Sequence, residues 1–150
     1  MTGPDFCCPP LLVAEDSEDD IFLLIWALRK NLAPPKAHFV KNGAQAITYL
    51  EMCLSEKPGN SQLPRLVLLD IKMPLVTGHE VLTWIRSQTE LRKLPVYMLS
   101  SSGLEQDISK AQKAGASGYW VKPSTLDEFV TLADRIHELL TPLATAQPST

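Results

Sequence analysis

Five times along this chain a short apolar run is followed by a stretch with helical spacing, and few architectures accept that alternation. Leu11-Leu12-Val13-Ala14, Ala37-His38-Phe39-Val40, Leu66-Val67-Leu68-Leu69, Pro95 to Leu99 and Gly118 to Val121 read as strands. The continuous apolar character of the first and third fits strands covered on both faces of a parallel sheet. Between them, Ser17 caps a helix with Ile21, Leu24, Ile25 and Leu28 inward, ended by Pro34-Pro35. A second helix runs from Gly43 to Ser55. A third starts at a capping box formed by Thr77 and Glu80, and a fourth spans Glu105 to Ala114, with Gly115 as its C-terminal stop. The last helix opens at Thr125 and Glu128, a second capping-box spacing, and lines up Phe129, Leu132, Ala133, Ile136 and Leu140. The expectation is an α/β fold, a doubly wound five-stranded parallel sheet with helices on both faces. Residues 10–140 form its single domain, and residues 1–9 and 141–150, rich in Pro, Ser, Thr and Ala, are read as disordered tails.

Right-handed crossovers bring every strand's C-terminal end to one edge, where such sheets keep their sites. The residues arriving there are Glu15 and Asp16 from the first strand, Asp70 from the third, Ser100 from the fourth and Lys122 from the fifth. Three carboxylates that close repel one another unless a divalent cation sits among them. Oxygen ligands without His or Cys select a hard ion, and Mg²⁺ is the expected one. Such a cation lets a phosphoryl group approach a carboxylate nucleophile, while Lys122 supplies positive charge and Ser100 a hydroxyl donor. Each residue alone has an ordinary explanation as a turn residue, a cap or a dipole partner; their conjunction on one edge carries the argument.

Composition removes other classes. The net charge of −3 and pI of about 5.6, with no basic patch, speak against nucleic acid as a partner. No apolar run approaches the roughly 18 residues of a membrane span, and the N-terminus lacks the signature of an export signal. The three cysteines, Cys7, Cys8 and Cys53, fit neither a disulfide framework nor a zinc spacing and are read as reduced thiols. His38, His79 and His137 fall on different elements, and Trp26, Trp84 and Trp120 are read first as packing residues.

The motifs resemble those of the receiver domain of two-component response regulators over about Pro10 to Leu140. Leu12-Val13-Ala14-Glu15-Asp16 is similar to that family's acidic opening, and Leu68-Leu69-Asp70-Ile71-Lys72-Met73-Pro74, with Gly78 beyond, to its phosphoacceptor motif. Ala114 through Pro123 resembles its closing motif, and the intervals of 30 residues from Asp70 to Ser100 and 22 from Ser100 to Lys122 agree. The loop from Glu56 to Arg65 resembles that of single-domain regulators paired with bacterial phytochromes.

The resemblance implies a flavodoxin-like receiver fold, strand order 2-1-3-4-5, and a stand-alone cytoplasmic switch in a phosphorelay. It implies that Asp70 accepts a phosphoryl group from a sensor histidine kinase or phosphotransfer protein. Glu15, Asp16, Asp70 and the Lys72 backbone carbonyl would hold Mg²⁺. Ser100 and Tyr119 would form the switch pair, Lys122 would hold the phosphoryl oxygens, and Lys122–Pro123 would be cis. Ser100 stands where Thr is commoner, and the Lys72 side chain beside the acceptor is unusual.

A phosphatase using Asp70 as covalent nucleophile is the enzymatic alternative. Its haloacid-dehalogenase form needs an acid two residues on, where this chain has Lys72. A transcription factor has only ten residues left after Leu140 to build a DNA-binding domain. The expected output is a downstream protein target, or a homodimer through the fourth helix, fifth strand and fifth helix. Strand alternation places Trp120 on the face opposite Tyr119 and Val121, either packed under a helix or within such an interface.

Overall fold

The structure is a computed structural model that describes residues 9–31, 33–55, 63–101 and 103–141. In chain order the elements are β1 (Leu11–Ala14), α1 (Glu18–Leu28), β2 (Ala37–Val40), α2 (Gly43–Leu54), β3 (Leu66–Asp70), α3 (Gly78–Ser87), β4 (Val96–Ser100), α4 (Glu105–Ala114), β5 (Gly118–Val121) and α5 (Leu126–Leu140). The strands form one parallel sheet in the order β2-β1-β3-β4-β5. The expected α/β architecture and strand order are both present. The positions read as tails lie outside the described residues, except Pro9 and Thr141. No helix among the described residues is long and apolar enough to cross a membrane.

Period-two alternation sorts the core into two layers. Leu11, Val13, Leu66, Leu68 and Leu99 face α1 and α5, where Leu24, Ala27, Leu28, Phe129, Leu132, Ala133 and Ile136 meet them. Leu12, Ala14, Val67, Leu69, Val96 and Met98 face the other way, against Ala46, Leu50, Val81, Leu82, Ile85 and Ala111 of α2, α3 and α4. Because β1 and β3 are buried on both faces, they carry apolar side chains at every position before Asp70, the last residue of β3.

The sheet's C-terminal edge is held in line by ladder bonds that run past the strands. Glu15 N–H donates to Val40 C=O (2.9 Å), Ile71 N–H to Leu99 C=O (3.2 Å) and Lys122 N–H to Ser100 C=O (2.8 Å). The segment after β3 is clamped by glycines. A Cβ on Gly78 would lie 2.5 Å from the Asp70 carbonyl oxygen and 3.0 Å from Ile71 Cα, so only glycine lets α3 start against the end of β3. Within that segment Val76 N–H bonds to Pro74 C=O, and Leu75 at the centre has φ 70°, a strained γ-turn conformation for a side-chain-bearing residue.

Several details depart from the sequence reading. Helix α1 stops at Leu28 instead of continuing to the prolines, because Lys30 and Asn31 N–H bond three residues back, to Ala27 and Leu28 C=O, and tighten the chain into turns. Ala27 joins its buried stripe while Ile21 and Ile25 are only half-buried. β3 and β4 extend to Asp70 and Ser100 themselves, and β4 begins at Val96, since Pro95 offers only its carbonyl to the ladder, accepting from Val67 N–H at 3.0 Å. The capping box at Thr77 and Glu80 is complete. The one at Thr125 is half made: Glu128 N–H donates to Thr125 Oγ1, but the Glu128 carboxylate reaches one residue further back, to Ser124 N–H and hydroxyl. Cys53, fully buried in α2, is disulfide-bonded, and its partner lies outside the described residues. An odd cysteine count leaves room for one bridge, so counting alone does not establish the reduced state.

The Gly78 contact predicts an asymmetry between glycines. Gly78→Ala, meeting backbone atoms, should cost about 1–3 kcal/mol in urea unfolding. Gly103→Ala, whose Cβ would meet only Val121 Cγ2 at 3.8 Å, should stay within about 0.5 kcal/mol.

Candidate functional site

β1 ends into Glu15 and Asp16, and the chain then turns into α1 through the N-cap Ser17. Ser17 Oγ accepts from Asp20 N–H (3.3 Å), and Ser17 N–H donates to Glu15 Oε2 (3.1 Å). This braced turn fixes Glu15 and Asp20 together. β3 ends on Asp70, β4 on Ser100, and one residue past β5 comes Lys122. Glu15 and Asp70 are 3% exposed and Ser100 is 1% exposed, whereas Asp16 and Lys72 are exposed.

Of the predicted constellation, Glu15, Asp16, Asp70 and Lys122 come together. The Lys122 ammonium lies 3.0 Å from Glu15 Oε2, 3.2 Å from Asp70 Oδ2 and 3.2 Å from Asp20 Oδ2. Carboxylate oxygens of Glu15, Asp16 and Asp70 all fall within 4.8 Å of one another. That is an all-oxygen donor set of the kind that suits a hard divalent cation, with an exposed member, Asp16, open to solvent. Lys72 N–H makes a long bond to Asp70 Oδ1 (3.4 Å), and its side chain lies at the surface.

Burial and like charge act together on these groups. Burial, then the neighbouring Asp70 charge, pushes the Glu15 carboxyl up to about 7 against the pull of Lys122. Burial also raises Asp70, opposed by Lys122 and the Lys72 N–H. Burial would lower the Lys122 ammonium, but the bond to Glu15 and the charges of Glu15 and Asp70 outweigh it and hold it above the usual lysine range. A carboxylate cluster that holds protons toward neutrality and grips an ammonium is short of positive charge.

Asp20 is the site residue that sequence reasoning did not find. It stands four residues after Asp16, one helical turn on, and an acidic residue in a first turn is otherwise read as a partner of the helix dipole. Tyr119 is half-buried and packs toward the α4 layer, while Trp120 packs on the opposite layer, stacked on Tyr97 with ring centroids 4.5 Å apart. Trp120 thus packs beside α5, yet its ring also lines a cleft of about 300 Å³ with Val121, Pro123, Leu132 and Arg135. Lys122–Pro123 is trans, the form intrinsically favoured before proline by about 0.5–1 kcal/mol. The histidines lie apart: His38 stacks on Tyr49, His79 sits on α3 and His137 on α5.

The raised Glu15 carboxyl sets a pH dependence. The folded state holds this proton up to about pH 7 while the unfolded chain releases it near 4.5, so without divalent cation stability is lost as pH rises through that window. Urea midpoints across the window should show this slope, and Glu15→Gln, which cannot titrate, should flatten it.

Comparison with known proteins agrees with this geometry. The family model described as the response regulator receiver domain matches residues 11–134. A curated relative, the probable methanogenesis regulatory protein FilR2 of Methanothrix harundinacea (strain 6Ac), is 30% identical over 128 residues, 85% of this chain and 81% of that protein. The crystal structure of the phosphorylated cyanobacterial phytochrome response regulator RcpA has a TM-score of 0.78 and 31% identity, covering 95% of this chain and all of that one. The Mn²⁺-bound form of the response regulator Rcp1, a protein of Synechocystis sp. (strain ATCC 27184 / PCC 6803 / Kazusa), has a TM-score of 0.75 and 26% identity over 89% of this chain and 96% of that one. Receiver domains are charged by histidine kinases and act on downstream targets in phosphorelay signalling. With the motifs, the sheet edge and the family model in agreement, the chain belongs to the response regulator receiver domain family.

Proposed function

We propose that Asp70 is the phosphoacceptor of this receiver domain and that Lys122 and Ser100 hold the phosphoryl group once it is attached. The observation that carries this reading is the buried Asp70 carboxylate, 3.2 Å from the Lys122 ammonium at the end of a doubly buried strand. A carboxylate oxygen of Asp70 forms the new O–P bond as the donor's P–N or P–O bond breaks, and the leaving group takes its proton from solvent. Lys122 offers N–H donors to the phosphoryl oxygens, and Ser100, at the end of the adjacent strand, offers a hydroxyl.

Glu15, Asp16, Asp70 and the backbone carbonyl of Lys72 would hold Mg²⁺, consistent with the Mn²⁺ named for the Rcp1 structure. When bound, the ion screens the carboxylates so that an anionic donor can approach. Lys72, two residues after the acceptor and exposed, would obstruct attacking water if its side chain folds over the site, and self-dephosphorylation would then be slow. Ser100 and Tyr119 would act as the switch pair, turning hydroxyl and ring toward the site. The likeness to phytochrome response regulators favours a histidine kinase of the phytochrome class, or its phosphotransfer protein, as donor in the cytoplasm, where ATP charges such kinases. The output would be protein docking, including self-association, on α4, β5 and α5, where Val121, which lines the Trp120 cleft, is 56% exposed and Leu104, at the start of α4, is 60% exposed.

Incubation with acetyl phosphate and Mg²⁺ should add one phosphoryl group by intact mass, and Asp70→Asn or EDTA should abolish it. Labelling that survives in Asp70→Asn would overturn the assignment. On the output face, beryllofluoride should increase the mass seen by light scattering in wild type and not in Trp120→Ala. A monomer in every state would exclude the homodimer.

A further inference from the structure

An ammonium has three N–H donors, and on Lys122 each meets a carboxylate: Glu15, Asp20 and Asp70. Two of these belong to the oxygen cluster that suits a divalent cation; Asp20 does not. Asp20 comes from the first turn of α1, is braced by its N–H bond to Ser17 Oγ, and its side chain is 32% exposed, beside the cluster rather than within it. When Glu15 and Asp70 turn to a cation and Asp70 carries a phosphoryl group, Asp20 is the carboxylate still aimed at Lys122. It then shares that ammonium with the phosphoryl oxygens.

We propose that Asp20 is a positioning residue that acts through Lys122 as a brake on the phosphorylated state. It retains one donor of the ammonium and offsets part of the charge that the phosphoryl group would otherwise meet. This inference rests on the phosphoacceptor reading of Asp70. Two negative oxygens on different donors of one ammonium lie about 5 Å apart, and where water and the bound cation screen them to a near-aqueous effective dielectric constant of about 60–80 their repulsion amounts to about a three- to tenfold loss of affinity. The covalent stem of Lys122 is fixed independently, by the Lys122 N–H bond to Ser100 C=O and by Pro123, so losing Asp20 frees the ammonium without freeing the backbone.

The test is titration of beryllofluoride, a phosphoryl mimic, at saturating Mg²⁺, with a separate titration of Mg²⁺ alone, both read by amide NMR shifts. Asp20→Asn, which keeps shape and removes charge, should bind beryllofluoride about three- to tenfold more tightly, with Mg²⁺ affinity unchanged or slightly weaker. Asp20→Glu should restore wild-type affinity, and in a Lys122→Met background Asp20→Asn should change nothing. A merely structural role would weaken both ligands together, so equal or weaker beryllofluoride binding in Asp20→Asn overturns the proposal. If wild type itself binds no beryllofluoride, the acceptor reading falls and this inference with it; binding in wild type with no gain in Asp20→Asn sinks this inference alone.

Discussion

The Lys122 ammonium, within 3.0–3.2 Å of Glu15, Asp20 and Asp70, is the contact on which the rest of this molecule's chemistry depends. At an effective dielectric constant of about 20, each such pair is worth roughly 5 kcal/mol in Coulomb terms before desolvation, and each carboxylate pair in the cluster repels on a similar scale. The balance is close, and it shows in the directions of titration: both buried carboxyls are raised and the ammonium is raised with them. Such a site is stable enough to fold and still deficient in positive charge. That is the condition under which a divalent cation improves it and a phosphoryl group can then be accommodated.

The parallel sheet makes this crowding affordable. Glu15, Asp70 and Lys122 follow strands whose own side chains are almost entirely apolar and locked in register, and the ladder bonds at Glu15, Ile71 and Lys122 continue that register into the edge. Gly78 then lets α3 begin directly against the Asp70 carbonyl. The strand leading to Lys122 also carries Tyr119 toward the α4 layer and Trp120 toward the α5 layer. Lys122 therefore ends a segment that touches both sides of the sheet within three residues.

Most of this was legible in the sequence because it follows from periodicity. Leu66 to Leu69 could only be a strand buried on both faces, and a right-handed parallel sheet then had to deliver Asp70, Glu15 and Lys122 to one edge. Asp20 was not legible, because its role depends on how the Ser17 turn aims the first residues of α1, which a one-dimensional spacing does not contain. The stop at Leu28 was missed for a related reason: the prolines mark where a helix cannot continue, not where turn bonds end it earlier. The half-made box at Thr125 shows the same limit, since Glu128 had two backbone donors within reach and took the further one. The packing of Trp120 against Tyr97 depends on Gly118 beside the Tyr97 ring, a cross-strand relation that only the register supplies.

The central claim, that Lys122 serves as the resident cation of a carboxylate cluster awaiting a divalent one, is tested most directly by calorimetric titration of Mg²⁺ into wild type and Lys122→Met. Removing the ammonium leaves the same oxygens with less positive charge around them, so Lys122→Met should bind Mg²⁺ more tightly than wild type while remaining folded. Weaker binding of Mg²⁺ by a folded Lys122→Met protein would contradict the account, because the oxygens would then need the ammonium to form the site rather than to stand in for its ion.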